Sequence, residues 1–181
     1  MQRPLHRPLH HSLHQHRHRT TACRIIAHQA TPSNKSSDSQ QHFSSDQRPI
    51  ILYDGICNLC NGGVQFMLDW DKQGKCRFAA LQSTAGRNLL QRSGRSPDDL
   101  SSIVFVTPTT SYIKSEAILR IALELEPPFP LLAATAQRLV PLPLRDWVYD
   151  RIANNRYSFF GKAQECRLGW GDDGCADRFI T

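Results

Sequence analysis

The apolar positions of this 181-residue chain change period several times after residue 48, and each change marks an element. Ile50 to Tyr53 is a continuous apolar run that stops at the turn pair Asp54-Gly55, which predicts a strand. A helical period follows from about Cys57 or Asn58 to Asp71, with Cys60, Val64, Met67 and Leu68 on one face. Phe66 and Trp70 widen that stripe. Cys76 to Leu81 predicts a second strand, and Thr84 is placed to cap a helix through Leu89 and Leu90 to a stop at Gly94. Ser96-Pro97-Asp98-Asp99 offers a cap residue, a proline and an acid, and predicts one short helical turn. Ile103 to Val106 is a compact apolar strand, Thr107 to Thr110 a turn around Pro108, and Ser111 to Lys114 a partner strand. Ser115 is placed to cap a third helix, whose Ile118, Ile121, Ala122 and Leu125 share one side before Pro127-Pro128 stops it.

Two more helices are expected beyond that point. Leu131 to Val140 is a short apolar one. Leu144, Trp147, Val148, Arg151, Ile152 and Asn155 recur at helical spacing and predict a second with a mostly apolar face. Tyr157, Phe159 and Phe160 are expected to join the core before Gly161. The order β-α-β-α-β-β-α is that of the thioredoxin core: a β-α-β crossover makes a parallel pair and a hairpin adds antiparallel neighbours. The fold class read from the pattern is therefore α/β, a thioredoxin-like core with a C-terminal α-helical extension. Residues 1–47 are expected to be a transit peptide with a disordered linker, 48–126 the core, and 127–181 a helical extension packed on it.

Charge changes the picture mainly at the N-terminus. Residues 1–48 carry seven Arg/Lys against two acids, the remainder 15 against 14, so the excess of positive charge belongs to a tail. All eight histidines lie at or before His42 and no acid precedes Asp38. A nucleic-acid partner, which needs a basic patch on the folded part, is not expected. The tail is rich in Arg, His, Ser, Gln and Thr and lacks the continuous apolar core of a secretory signal, which points to an organelle transit peptide. Its Ser/Thr content favours the chloroplast (stroma), with the mitochondrion as the alternative. Ser33 to Ser45 is expected to be a flexible linker. The longest apolar stretch, Leu131 to Leu144, is interrupted by Gln137, Arg138, Pro141 and Pro143, so no membrane span is expected.

The chemistry is concentrated between the first strand and the first helix. Cys57 and Cys60 stand at C-x-x-C spacing where a strand delivers them to a helix N-terminus, a place that stabilises a thiolate. Two cysteines three residues apart on one helical face can close a disulfide. In the expected mechanism Cys57 is the nucleophile and Cys60 the resolving thiol. With no histidine after His42, Asp54 is the nearest candidate proton shuttle, or else a turn aspartate bonding the N–H groups of Gly55 and Ile56. Cys76 reads as an apolar filler. A zinc-binding or non-catalytic interaction module using Cys57, Cys60, Cys166 and Cys175 is the competing reading. An apolar strand ending in Asp-Gly also suits a phosphoryl-transfer enzyme, but that chemistry wants a second Asp where Ile56 stands.

Asp54, Cys57 and Cys60, in Y-D-G-I-C-N-L-C-N, form a D-x-x-C-x-x-C signature that resembles the DCC family of thiol-disulfide oxidoreductases. The segment R-D-W-V-Y-D-R-I-A-N-N-R-Y-S-F-F-G, Arg145 to Gly161, resembles that family's C-terminal block. The resemblance spans about Pro49 to Cys166 and implies a thioredoxin-like fold and dithiol redox activity; no cofactor is expected. It implies protein or small-molecule disulfides and thiols as partners, with an electron donor the sequence does not identify. Several plant and algal members carry organelle transit peptides, in agreement with the tail. One departure from thioredoxins proper is the position before the third strand, where their cis-proline is replaced by Ser101-Ser102.

Overall fold

The strand Ile50–Tyr53 (β1) is buried at all four residues because it runs through the middle of the sheet, and the other elements are arranged around it. The computed structural model describes residues 38–163 and 176–181. Among them the chain runs α1 (Asp38–Ser44), β1, α2 (Asn58–Trp70), β2 (Arg77–Ala80), α3 (Thr84–Arg92), β3 (Val104–Val106), β4 (Ser111–Ile113), α4 (Lys114–Glu124), α5 (Phe129–Leu139), α6 (Leu142–Phe160), a 3₁₀ turn (Ala176–Arg178) and β5 (Phe179–Ile180). The five strands lie in the order β4-β3-β1-β2-β5. β2 pairs parallel with β1, Ile51 facing Phe78, after the α2 crossover. β3 pairs antiparallel with β1, Ile51 facing Phe105, and β4 pairs antiparallel with β3. This is the thioredoxin-like core with a C-terminal helical part.

Period-two alternation divides the sheet's side chains between two cores. Ile51, Tyr53, Phe78, Ala80 and Phe105 point to the α2 and α4 side, where Val64, Met67, Ala117 and Ile121 meet them. Ile50, Leu52, Ala79, Val104 and Val106 point to the other side and meet Leu89, Leu90 and Phe43. Each fully buried aliphatic side chain of this kind contributes roughly 1.5–3 kcal/mol relative to exposure. Burial on both faces explains why β1 and β3 read as unbroken apolar runs.

Several local expectations are corrected. Asp38–Ser44, expected as linker, is helix α1, and its Phe43 is buried against the second core with Arg77 and Arg92 over its ring. The cap of α3 is Ser83, not Thr84: the Ser83 Oγ accepts from Gly86 N at 3.0 Å, and Thr84 is the first helical residue. Ser96–Asp99 closes the single turn expected, Asp99 N donating to Ser96 O at 3.1 Å. Ser115 lies inside α4, whose cap position is Ile113. The donors of Ser115 are instead satisfied by Asp146 of α6, which accepts from Ser115 N at 3.3 Å and from its hydroxyl.

The largest correction concerns α6. Its expected apolar face is mainly exposed: Leu144 at 52%, Trp147 at 60%, Val148 at 45% and Ile152 at 51%. The face that docks is a mostly polar row at helical spacing, 146, 149, 150, 153, 156 and 157. Asp146 meets α4, the Tyr149 hydroxyl accepts from Ile103 N at 2.9 Å, Asp150 pairs with Lys114 at 2.8 Å, and Arg156 donates to Leu100 O at 2.8 Å. Ala153 is the buried apolar member. Phe159 and Phe160, expected in the core, are the exposed last turn of α6. At the other end of the sheet, β5 adds a parallel edge to β2. Arg178 beside it is buried on Asp71 at 2.5 Å and also donates to Cys76 O at 2.9 Å.

Candidate active site

The loop between β1 and α2 holds both thiols. Cys57 N donates to Asp54 O at 3.1 Å, closing a turn, and Asn61 N donates to Cys57 O at 2.9 Å, the first bond of α2. Cys57 is thus the N-cap residue, in extended conformation, with no side-chain cap bond. Cys60 follows one turn later. The Cys57 side chain lies close enough to Cys60 to act on its thiol. The Cys60 thiol is pushed well above its ordinary range by burial first, then by the neighbouring Cys57 and the Asp54 charge, with Arg156 easing the effect. Both cysteines are present as free thiols, Cys57 fully buried and Cys60 partly exposed.

The chain just after α6 lies along the loop that carries Cys57. Lys162 forms an antiparallel bridge with Cys57, Ala163 N donates to Ile56 O at 2.9 Å, and Asn58 N donates to Gly161 O at 3.4 Å. The Asn58 side chain adds a bond to Phe160 O at 3.0 Å. Gly161, with φ of 74°, makes the bend that lets the chain leave α6 and lie along the thiol loop.

Asp54 is also buried, and its carboxylate takes four donors. Oδ1 accepts from Ile56 N at 3.2 Å and from Gln82 Nε2 at 2.7 Å. Oδ2 accepts from Arg156 at 3.2 Å and from the Tyr157 hydroxyl. Of the two turn bonds expected, the one from Ile56 is present, whereas Gly55 N donates to Gln82 Oε1 at 3.1 Å. The Tyr157 hydroxyl is pushed up to about 12, by burial first and then by the neighbouring Asp54. Gln82 and Arg156 were not singled out from the sequence, and Tyr157, expected as a core aromatic, instead places its hydroxyl on Asp54. The Arg-Tyr pair does sit inside the C-terminal block that carries the family resemblance, which was the available signal.

Cys76 is buried in the first core, consistent with a filler, and burial with the Asp71 charge pushes its thiol up to about 12. Cys166 and Cys175, the other half of the zinc alternative, lie outside the described residues, as do Cys23 and the rest of 1–37. Among the described residues no three His, Cys, Asp or Glu side chains gather as metal ligands, and no helix is long and apolar enough to cross a membrane. Ser102, near the position of the thioredoxin cis-proline, is buried and lines an open cavity of about 820 Å³ that also reaches Asp54 and Cys60.

A thioredoxin-like sheet with two thiols at the β1–α2 junction defines a class, and comparison of sequences narrows it. The DCC1-like thiol-disulfide oxidoreductase family model matches residues 51–162. A chloroplastic DCC family protein of Arabidopsis thaliana is 53% identical over 131 residues, 72% of this chain and 76% of that protein. The protein YuxK of Bacillus subtilis is 43% identical over 128 residues, 70% of this chain and 92% of YuxK. No solved structure gives a significant match. The chain belongs to the DCC1-like family of thiol-disulfide oxidoreductases.

Proposed function

We propose that Cys57 and Cys60 form a dithiol/disulfide centre that exchanges with protein or small-molecule disulfides. The observation that carries this reading is the placement of two free thiols at the N-terminus of α2, Cys57 at the cap position and Cys60 one turn on. Cys57, at the cap position, attacks one sulfur of the target disulfide, and the first target thiolate leaves. Cys60 holds its proton until this step, then loses it and attacks the Cys57 sulfur. That closes the Cys57–Cys60 disulfide and releases the second target thiol. Asp54 is the candidate acceptor for the Cys60 proton, lying close enough for its charge to act on that thiol. The Gly161–Ala163 segment lifts from Cys57 before attack, exposing the sulfur. A thiol reductant returns the pair to the dithiol state.

The composition of residues 1–47 and the chloroplastic name of the Arabidopsis relative support a plastid location, and the stroma is the compartment we propose within it. Import of a fluorescent fusion to residues 1–47 tests it; mitochondrial signal would replace the chloroplast with its alternative.

The redox reading is tested by titrating the full chain across thiol/disulfide buffers, with mass tags on reduced thiols mapped to their peptides. A single two-electron transition at Cys57 and Cys60, absent in Cys57→Ser and in Cys60→Ser, is the expected result. No transition, with zinc copurifying and tags excluded until a chelator is added, would replace redox chemistry by metal binding.

A further inference from the structure

The cavity at Cys60 is built mainly from helix faces, with the end of β1 and the 100–103 loop closing its thiol end. Leu59 and Phe66 of α2, Ile118 of α4, Phe129 of α5, and Val148 and Ile152 of α6 are among its apolar walls. Its volume of about 820 Å³ lies in the range of small-molecule sites, which run from about 300 to 1,000 Å³. This is where the apolar row of α6 goes: Val148 and Ile152 are exposed because they face this space and not a packed core. A peptide is a poor occupant of such walls. Its backbone N–H and C=O groups need partners, and helix faces whose own backbone is internally bonded supply none.

The thiol end of the cavity is different. Ser102 is 4% exposed, and its Oγ has no hydrogen-bond partner among the described residues. Arg156, which anchors Asp54, likewise leaves its buried Nε without one. Both line the cavity, as does Cys60. Two buried donors without partners ask for an acceptor oxygen, since leaving such groups unsatisfied costs about 1–3 kcal/mol each. The site therefore combines a hydrocarbon-lined space, donors for a carbonyl and a thiol belonging to a redox pair.

We infer that this cavity binds a quinone with a hydrocarbon chain and that the quinone is a two-electron partner of the dithiol, an inference that rests on the dithiol reading above. The chain lies among the helices α2, α4, α5 and α6, and a ring carbonyl accepts from Ser102 and Arg156. In the oxidative direction two S–H bonds break and one S–S bond forms between Cys57 and Cys60. The two electrons and two protons pass to the two quinone oxygens, giving the hydroquinone.

The test uses the reduced full chain with a fully substituted benzoquinone bearing a ten-carbon chain, so that no ring C–H is open to thiol addition. The same ring with a methyl group in place of the chain is the control, and hydroxyethyl disulfide serves as a polar reference oxidant. The long-chain quinone is expected to be reduced stoichiometrically, and not at all by Cys57→Ser or Cys60→Ser. Ile152→Lys and Ser102→Ala should each lower the ratio of the quinone rate to the reference rate, Ile152→Lys by about tenfold because it puts a charge in the apolar wall. Equal rates for the long-chain and methyl quinones, or an unchanged ratio in Ile152→Lys, would overturn the site. So would an apolar decapeptide that displaces the quinone at lower concentration than the quinone itself binds. Should the parent protein fail to react even with hydroxyethyl disulfide, the dithiol reading falls and quinone binding followed by tryptophan fluorescence decides the site by itself. Saturation weakened by Ile152→Lys then supports it, and no saturation overturns it.

Discussion

Tyr157 donates a hydrogen bond to the buried carboxylate of Asp54, a residue 103 positions earlier in the chain. The neighbouring Arg156 binds the same oxygen and stacks over the Tyr157 ring, 4.5 Å from its centroid. The last turns of α6 are thereby fastened to the loop that carries Cys57 and Cys60. The same helix end delivers Gly161 to Ala163 onto Cys57. A helix outside the thioredoxin-like core thus completes the polar surroundings of the dithiol.

Asp54→Asn keeps the shape of the side chain but removes the charge that Arg156 and Tyr157 address. If Asp54 accepts the Cys60 proton, exchange slows while the midpoint potential moves little. Stopped-flow exchange with a small disulfide, set beside the redox titration, checks this; equal exchange rates in variant and parent would end the proton-acceptor role. Tyr157→Phe removes one of four donors and leaves the carboxylate, so its effect on exchange should be the smaller of the two.

Stability should fall at both ends of the pH scale, for different groups. Cys76 is raised from 9.0 to about 12 and Tyr157 from 10.0 to about 12, so the folded state holds these protons more tightly than the unfolded chain does. Their contributions are complete below about pH 9 and are lost as pH rises from there through 12. Asp46 is lowered from 3.8 to about 2, chiefly by its hydrogen bond with Arg48. Its contribution is complete above about pH 4 and is lost as pH falls through 2. Denaturant unfolding across pH should show both limbs, with Cys76→Ala flattening the alkaline one and Asp46→Asn the acid one.

The parts of this molecule legible in the sequence are those set by near neighbours. Ile50 to Tyr53 has no polar residue and ends at Asp54-Gly55, so the strand, the turn and the thiols beyond it follow from adjacent positions. The docked face of α6 was not legible for a physical reason: Asp146, Tyr149, Asp150, Arg156 and Tyr157 attach it through hydrogen bonds and ion pairs. A search for apolar periodicity finds the other row, which lines the cavity. Phe43 in α1 and Arg178 beside β5 were missed because each does its work as one side chain in a short polar segment. Asp54 was found by its spacing to the cysteines, whereas its partners 102 and 103 residues away meet it only through tertiary folding.

Gly86 and Gly62 should respond oppositely to the same substitution. A Cβ on Gly86 would lie 2.1 Å from Ala80 O, where α3 crosses the end of β2, so Gly86→Ala must separate backbone from backbone. A loss of about 2–3 kcal/mol is expected, the upper part of the usual range for point changes. Gly62 has no atom within 4 Å of that position and sits on the exposed side of α2. Gly62→Ala should gain up to about 1 kcal/mol from helix propensity alone. Urea midpoints at constant slope measure both.

Arg178 reaches back 107 residues to Asp71, which also receives Lys75 N at 2.9 Å and Cys76 N at 3.0 Å. Removing one partner of such a buried pair leaves the other charge without compensation, a cost of about 3–5 kcal/mol. Arg178→Ala should therefore destabilise strongly and release the β5 edge. Asp71→Asn with Arg178→Met, which removes both charges, should recover much of the loss. A double variant as unstable as Arg178→Ala would show that the ion pair is not what the site supplies.

Access to Cys57 should be governed by the segment that covers it. Ala163 N donates to Ile56 O at 2.9 Å, and Ala163→Pro deletes that donor without touching either thiol. One net hydrogen bond of about 1 kcal/mol corresponds to roughly a fivefold rise in the uncovered population. Alkylation of Cys57 by iodoacetamide should accelerate by about that factor, because reaction of a buried thiol tracks the open fraction. Cys60, which already faces the cavity, should show a smaller change, read from the same digest in Cys57→Ser. An unchanged Cys57 rate in Ala163→Pro would mean that the thiol is reached through the cavity at Cys60 and not from beneath the Gly161–Ala163 segment.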